Sequence, residues 1–155
     1  MTWLAIDPGP EQSAWVVYEA GKVIAKAKAS NQVTWTMLNE IKVDAVAIEM
    51  VQSFGMAVGA EVFETVFWIG RFYERAFWRA IPVHRIFRKD VKMHLCQSMR
   101  AKDPNIRQAL IDRLGAPGTK KNPGATFGVS GDCWSALAVA VTASDRITPE
   151  SGRER

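Results

Sequence analysis

Two short apolar runs, each closed by an acid, constrain this chain most. Thr2–Ile6 stops at Asp7-Pro8-Gly9-Pro10, and Asp44–Glu49 (Asp-Ala-Val-Ala-Ile-Glu) stops at Glu49. Runs this short are too brief for helices and read as buried strands halted by turn chemistry. Pro82–Phe87 is a further strand of the same kind. Ser13–Tyr18, then Gly21, then Lys22–Ser30 read as a hairpin. Its second arm alternates Val23, Ala25, Ala27 and Ala29 with Lys22, Ile24, Lys26 and Lys28, which fits a strand with one wetter face.

Helical patterns fill the intervals. Val33–Glu40 reads as a short helix, and Lys89–Met99 and Pro104–Leu114 as two more. Asp103 is a cap for the last of these, with Pro104 at its first position and Gly115 as its stop. Met56–Ala80 is the longest pattern. Val62, Val66, Ile69 and Tyr73 form one stripe, while Phe63, Phe67, Trp68, Phe72 and Phe77 cover other faces. A stripe of about 100° suffices for one core contact. The wider apolar arc points to a second buried surface, most simply a homodimer interface, or else to cover by neighbouring loops. Its interspersed charges exclude a bilayer span. Gly115–Gly131 reads as a flexible basic loop. Asp132–Ser144 reads as a small-residue helix able to lie close to a sheet. The expected architecture is a five-stranded mixed α/β sheet flanked by helices, in one domain over residues 1–147. A polar tail follows over residues 148–155.

Composition matters chiefly through charge and cysteine. The net charge of +4 is unevenly spread: between Arg85 and Lys121 ten basic residues face three acids, so this sector is +7 and the remainder −3. A basic sector on a slightly acidic body suits a polyanion, although solvated helix faces produce the same pattern. Two cysteines, Cys96 and Cys133, give no disulfide framework and no zinc spacing, and read as small buried hydrophobes. His84 and His94 lack partners at ligand spacing and read as packing or surface residues; His94 has the further option of a phosphate contact. No secretion signal opens the chain, so a cytoplasmic location is expected, with no membrane partner.

The acids carry the chemistry. Asp7 ends the first strand, Glu49 ends the second buried strand, and Asp132 opens the last helix. Ligand crevices of open α/β sheets lie at the carboxyl ends of strands. Adjacent parallel strands would deliver Asp7 and Glu49 side by side, with Asp132 brought across by its helix. Three carboxylates converging at about 4–6 Å require a cation, and hard oxygen ligands select Mg²⁺ or Mn²⁺. Such a site suits phosphodiester hydrolysis. Singly, each acid has an ordinary explanation: a turn residue for Asp7, a solvated strand end for Glu49, and a helix N-terminal charge for Asp132.

The ordered set Leu4-Ala5-Ile6-Asp7-Pro8-Gly9, Ala47-Ile48-Glu49 and Asp132-Cys133-Trp134-Ser135-Ala136-Leu137-Ala138-Val139-Ala140 resembles the RuvC-type Holliday-junction resolvases of the ribonuclease H-like superfamily. Asp90-Val91-Lys92 and Ala101-Lys102-Asp103 resemble that family's basic helical segment. The likeness runs from Thr2 to about Ser144 and is greatest to the shorter phage or prophage-like members. It implies a ribonuclease H-like fold, a homodimer and Mg²⁺-dependent paired nicking of four-way DNA junctions. By position, Asp7, Glu49 and Asp132 match the metal-binding acids. The family's fourth acid falls at Ser135, a weaker neutral ligand that would orient water, and Asp145 lies too far along the helix to replace it. Lys92 matches a lysine near the scissile phosphate, and Lys102 falls where another lysine is expected. Phe54 is the nearest aromatic to the family's junction-opening wedge, or else a core or dimer residue. Arg85, Arg88, Lys89, Arg100, Lys120 and Lys121 complete the expected DNA-binding set, and Trp134 is placed to shape the site.

Two rivals stand beside a junction endonuclease. One is a structure-selective DNA-binding protein with weak or no nuclease activity, having lost turnover through Ser135. The other is an actin-like ATPase, whose phosphate loop also opens with Asp-Pro-Gly after a strand, but which needs a second phosphate loop and a larger chain.

Overall fold

A computed structural model describes residues 1–147; the expected polar tail, 148–155, lies outside them. Five strands form one sheet: β1 (Thr2–Asp7), β2 (Gln12–Glu19), β3 (Lys22–Ser30), β4 (Ala45–Met50) and β5 (Val83–Phe87). Their order is β3-β2-β1-β4-β5, with β1, β4 and β5 parallel and the β2–β3 hairpin antiparallel at the other side. The helices are α1 (Asn31–Met37), α2 (Ala60–Trp78), α3 (Arg88–Cys96), α4 (Asp103–Leu114) and α5 (Cys133–Arg146). No helix among the described residues is long and apolar enough to cross a membrane.

Strand alternation sorts the sheet into two faces. Leu4, Ile6, Val17, Val46 and Ile48 pack with Ile69, Phe72 and Ala76 of α2. Trp3, Ala5, Ala14, Val16, Ala45 and Ala47 pack with α5, α4 and Val91 of α3. The second face is rich in alanine, and so is α5, through Ala136, Ala138, Ala140 and Ala143. Small residues on both sides let α5 lie close against the sheet, which carries its N-terminal Asp132 to the carboxyl ends of β1 and β4. His84 packs its ring against Trp3, with centroids 5.5 Å apart, so it is a packing histidine.

Several expected boundaries and faces shift. Helix α1 starts at Asn31 because Ser30 caps it, its Oγ accepting from Val33 N–H at 3.2 Å. Helix α2 begins at Ala60, four residues later than expected, and its core stripe is Thr65, Ile69, Phe72 and Ala76. Val66 and Tyr73, expected in the core, are exposed. The aromatic side chains Phe63, Phe67, Phe77 and Trp78 also face outward. Lys102, not Asp103, caps α4: Asn105 Oδ1 accepts the Lys102 N–H at 2.9 Å. The segment after α4 is a folded turn, not a slack loop. Gly118 bridges to Pro123, and buried Thr126 donates to the Gly115 carbonyl at 2.8 Å. Cys133 is buried, while Cys96 is half-buried against the core.

Candidate functional site

Asp7 leaves β1 and Glu49 lies one residue before the end of β4. The two strands are hydrogen-bonded neighbours in parallel register, Ile6 opposite Ile48. Alternation puts both acids on the face that α5 covers. The turn after Asp7 is fixed by a buried polar pair absent from the expected site. Ser13 Oγ donates to Asn31 Oδ1 at 2.6 Å, Asn31 Nδ2 donates to the Gly9 carbonyl at 2.9 Å, and Gly9 N–H reaches Ser13 Oγ at 3.3 Å. Gly9 itself is required, because a Cβ there would stand 2.4 Å from the Gln12 carbonyl oxygen.

Electrostatics mark the acid pair. The Asp7 carboxyl is pushed up from 3.8 to about 8, by burial first, then by the charges of Glu49 and Asp132, and by a hydrogen bond with Glu49. Glu49 is also raised, by burial, although Arg88 and the Asp7 hydrogen bond pull the other way. Protonated Asp7 therefore donates to Glu49. Two half-buried carboxylates sharing one proton is the state such a pair adopts when no cation separates them.

Asp132 does not complete a ready-made cluster. Among the described residues, no three His, Cys, Asp or Glu side chains gather at metal-binding spacing. The expected three-way convergence is corrected to an Asp7–Glu49 pair with Asp132 across the crevice. Lys28 Nζ holds Asp132 Oδ2 at 2.7 Å. Asp132 occupies the N-cap position of α5 without a side-chain capping bond, so helix capping does not account for its orientation. Arg88 guards the other side, with Nη1 3.8 Å from Glu49 Oε1 and Nη2 bound to Asp103. Hard oxygens, burial and mutual repulsion at Asp7 and Glu49 fit a divalent ion.

The remaining expected residues divide by place. Ser135 and Asp132 line a cavity of about 400 Å³ with Arg88, Asp103, Arg107 and Trp134. Trp134 is buried beneath Arg107, whose guanidinium lies 5.0 Å from the indole centre. Lys92 and Lys102 line an adjoining cavity with Arg88 and Asp103. Phe54 is 70% exposed, on a turn where it and Gly55 both take positive φ (52° and 77°), so it is no core residue.

Other members stand apart from the acids. Arg85 is opposite Ile48 in register, on the face away from Asp7. Lys89 lies near the Phe87 ring at 5.7 Å, and Arg100 is exposed between α3 and α4. Lys120 and Lys121 sit at the tip of the turn closed between Thr119 and Asn122. His94 is not free for phosphate: its Nε2 lies 2.6 Å from Asp145 Oδ2, and Asp145 also binds Arg113. Sequence reasoning missed Lys28, Ser13, Asn31 and Arg107. None of them carried a distinctive signal, Lys28 reading as one lysine on the wetter face of a strand.

Neither a protein-family model nor a curated protein sequence matches the chain. Solved structures do. It is similar to a Thermus thermophilus RuvC structure, with a TM-score of 0.67 and 18% identity over 92% of each chain. It is also similar to T. thermophilus RuvC in complex with a Holliday junction substrate, with a TM-score of 0.69 and 19% identity, again over 92% of each chain. With the strand order and flanking helices described above, this chain has the ribonuclease H-like fold in its RuvC form.

Proposed function

We propose that this protein is a divalent-metal-dependent endonuclease that nicks branched DNA, with four-way (Holliday) junctions as its main substrate. The observation that carries the reading is the half-buried Asp7–Glu49 pair at the carboxyl ends of neighbouring parallel strands, faced by Asp132 and bordered by Arg88. The match to a fold solved with a Holliday junction bound to it supports the choice of substrate.

Asp7, Glu49 and Asp132 would hold Mg²⁺, with Mn²⁺ as a substitute. When bound, the ion supplies Lewis-acid stabilisation of charge developing on the phosphodiester. Ser135 orients water beside Asp132. Lys92 neutralises the scissile phosphate. Arg88, Lys89, Arg100, Lys102, Lys120 and Lys121 hold the junction arms. Phe54, presented outward on its turn, is the wedge that opens stacked bases, which costs a few kcal/mol. A homodimer formed through the exposed aromatic face of α2 would place two acid sites on one junction, as paired nicking requires.

The test is a labelled four-way junction incubated with Mg²⁺ or Mn²⁺. Symmetric paired nicks are expected from the wild type and none from Asp7→Asn, with junction binding kept. Cleavage retained by that variant would overturn the metal-site assignment. A second reading, a junction binder without turnover, draws on Ser135 standing where a fourth acid is expected. Binding without nicks, with nicking restored by Ser135→Asp, would select it.

A further inference from the structure

We propose that Lys28 is a working part of the acid site: without metal its ammonium is the counter-ion of Asp132, and once a divalent cation takes that carboxylate the freed ammonium binds a backbone phosphate of the strand being cut. This rests on the nuclease reading above and adds a residue to it.

The sheet register builds the arrangement. Asp7 pairs with Ala14 across β1–β2, and Ala14 pairs with Lys28 across β2–β3, so the three form one cross-strand row. Paired residues project from the same face, and two strand spacings put Lys28 about 10 Å from Asp7 along the sheet. Ala14 between them is too small to block either side chain. The lysine arm reaches along that row and meets Asp132 at 2.7 Å.

Charge gives the contact its meaning. Asp7, Asp132 and Lys28 line one open cavity of about 520 Å³, together with Glu11 and Glu61. Among its lining residues Lys28 is the one cation. The basic residues expected from sequence lie elsewhere: Arg88 reaches Glu49, and Lys92 and Lys102 line a separate cavity with Arg88. A phosphate entering on the Asp7–Lys28 side meets carboxylates and this single ammonium. Lys28 is half exposed and free to swing, so its tie to Asp132 is a weak one that a divalent cation displaces.

The consequence is a pair of opposite effects from one substitution. Lys28→Met removes a competitor for Asp132, so Mn²⁺, followed by electron paramagnetic resonance of the free ion, should bind roughly 2–5-fold more tightly, the range expected from losing an exposed ion pair. At saturating Mn²⁺ the same variant should nick a four-way junction about tenfold or more slowly, having lost a charge-assisted phosphate contact. Lys28→Arg should keep most of the nicking, and Lys22→Met, on the same strand away from the acids, should change neither readout. Unchanged or weakened Mn²⁺ affinity in Lys28→Met overturns the counter-ion role, and tighter Mn²⁺ with undiminished nicking overturns the phosphate role. If wild type and variants all fail to nick branched DNA while Mn²⁺ still binds Lys28→Met more tightly, the nuclease reading and the phosphate role fail together and the counter-ion role stands.

Discussion

At the scale of single residues, Asp7 bears the largest electrostatic load. Its carboxyl ionises near 8 instead of 3.8, so the folded, metal-free protein binds a proton there that the unfolded chain has released. Stability from this group is therefore greatest below about pH 4 and declines as pH rises toward 8. Asp7→Asn removes that burden and leaves an amide able to donate to Glu49. Thermal melts without metal should show the variant gaining on the wild type as pH goes from 5 to 8, by about 1–3 kcal/mol at the upper end. Mn²⁺ should raise the melting temperature of the wild type and do so far less for the variant. Asp7, Glu49 and Asp132 were legible because each punctuates an apolar element. Lys28 was not: on paper its strand presents lysines to water, whereas the register turns Lys28 toward α5. A bulge between Val17 and Tyr18 further breaks the simple alternation.

Among elements, α5 is the piece that makes the site, and its position has two causes. One is the alanine-on-alanine contact with β1, β2 and β4. Ala140→Leu should overpack this contact at a cost of about 1–3 kcal/mol, read from urea unfolding. The other cause is at its far end, where Asp145 joins His94 of α3 and Arg113 of α4. Burial alone would raise the Asp145 carboxyl, but hydrogen bonds from Arg113 and His94 outweigh it and hold it below its ordinary value. A carboxylate depressed by folding stabilises above its unfolded value and loses that contribution as pH falls through the folded one. Asp145→Asn should thus cost about 1–2 kcal/mol at pH 7 and progressively less toward pH 3, by the same urea measurement. Element types were legible from run length and turn residues. The buried side of α2 was not, because aromatic residues surround that helix and Thr65 is the buried residue that a hydrophobic stripe omits.

For the whole molecule, the aromatic surface of α2 and the basic sector make separate claims. Phe63, Phe67, Phe77 and Trp78 are each more than half exposed. A stable dimer covers about 800 Å² per partner. Phe67→Glu should convert a dimer to a monomer in light scattering, and the monomer should make single, uncoordinated nicks. The excess of basic residues was legible as charge, but one-dimensional charge does not reveal how it divides in space. Lys92 lines a cavity with Arg88, the residue that reaches Glu49, whereas Lys120 and Lys121 stand on a turn of their own. The two groups should fail differently. Each phosphate neutralised contributes about −0.9 to the log–log slope of affinity against salt. Replacing Lys120 and Lys121 together by alanine should flatten that slope by up to about 1.8 while leaving the nicking rate of bound junction unchanged. Lys92→Ala should flatten it by about 0.9 and also slow the nicking of bound junction by roughly tenfold or more. Measuring affinity across salt beside single-turnover nicking tests whether Lys92 acts at the bond being broken while Lys120 and Lys121 act only in holding DNA. Equal effects of the two substitutions on the bound rate would contradict this division.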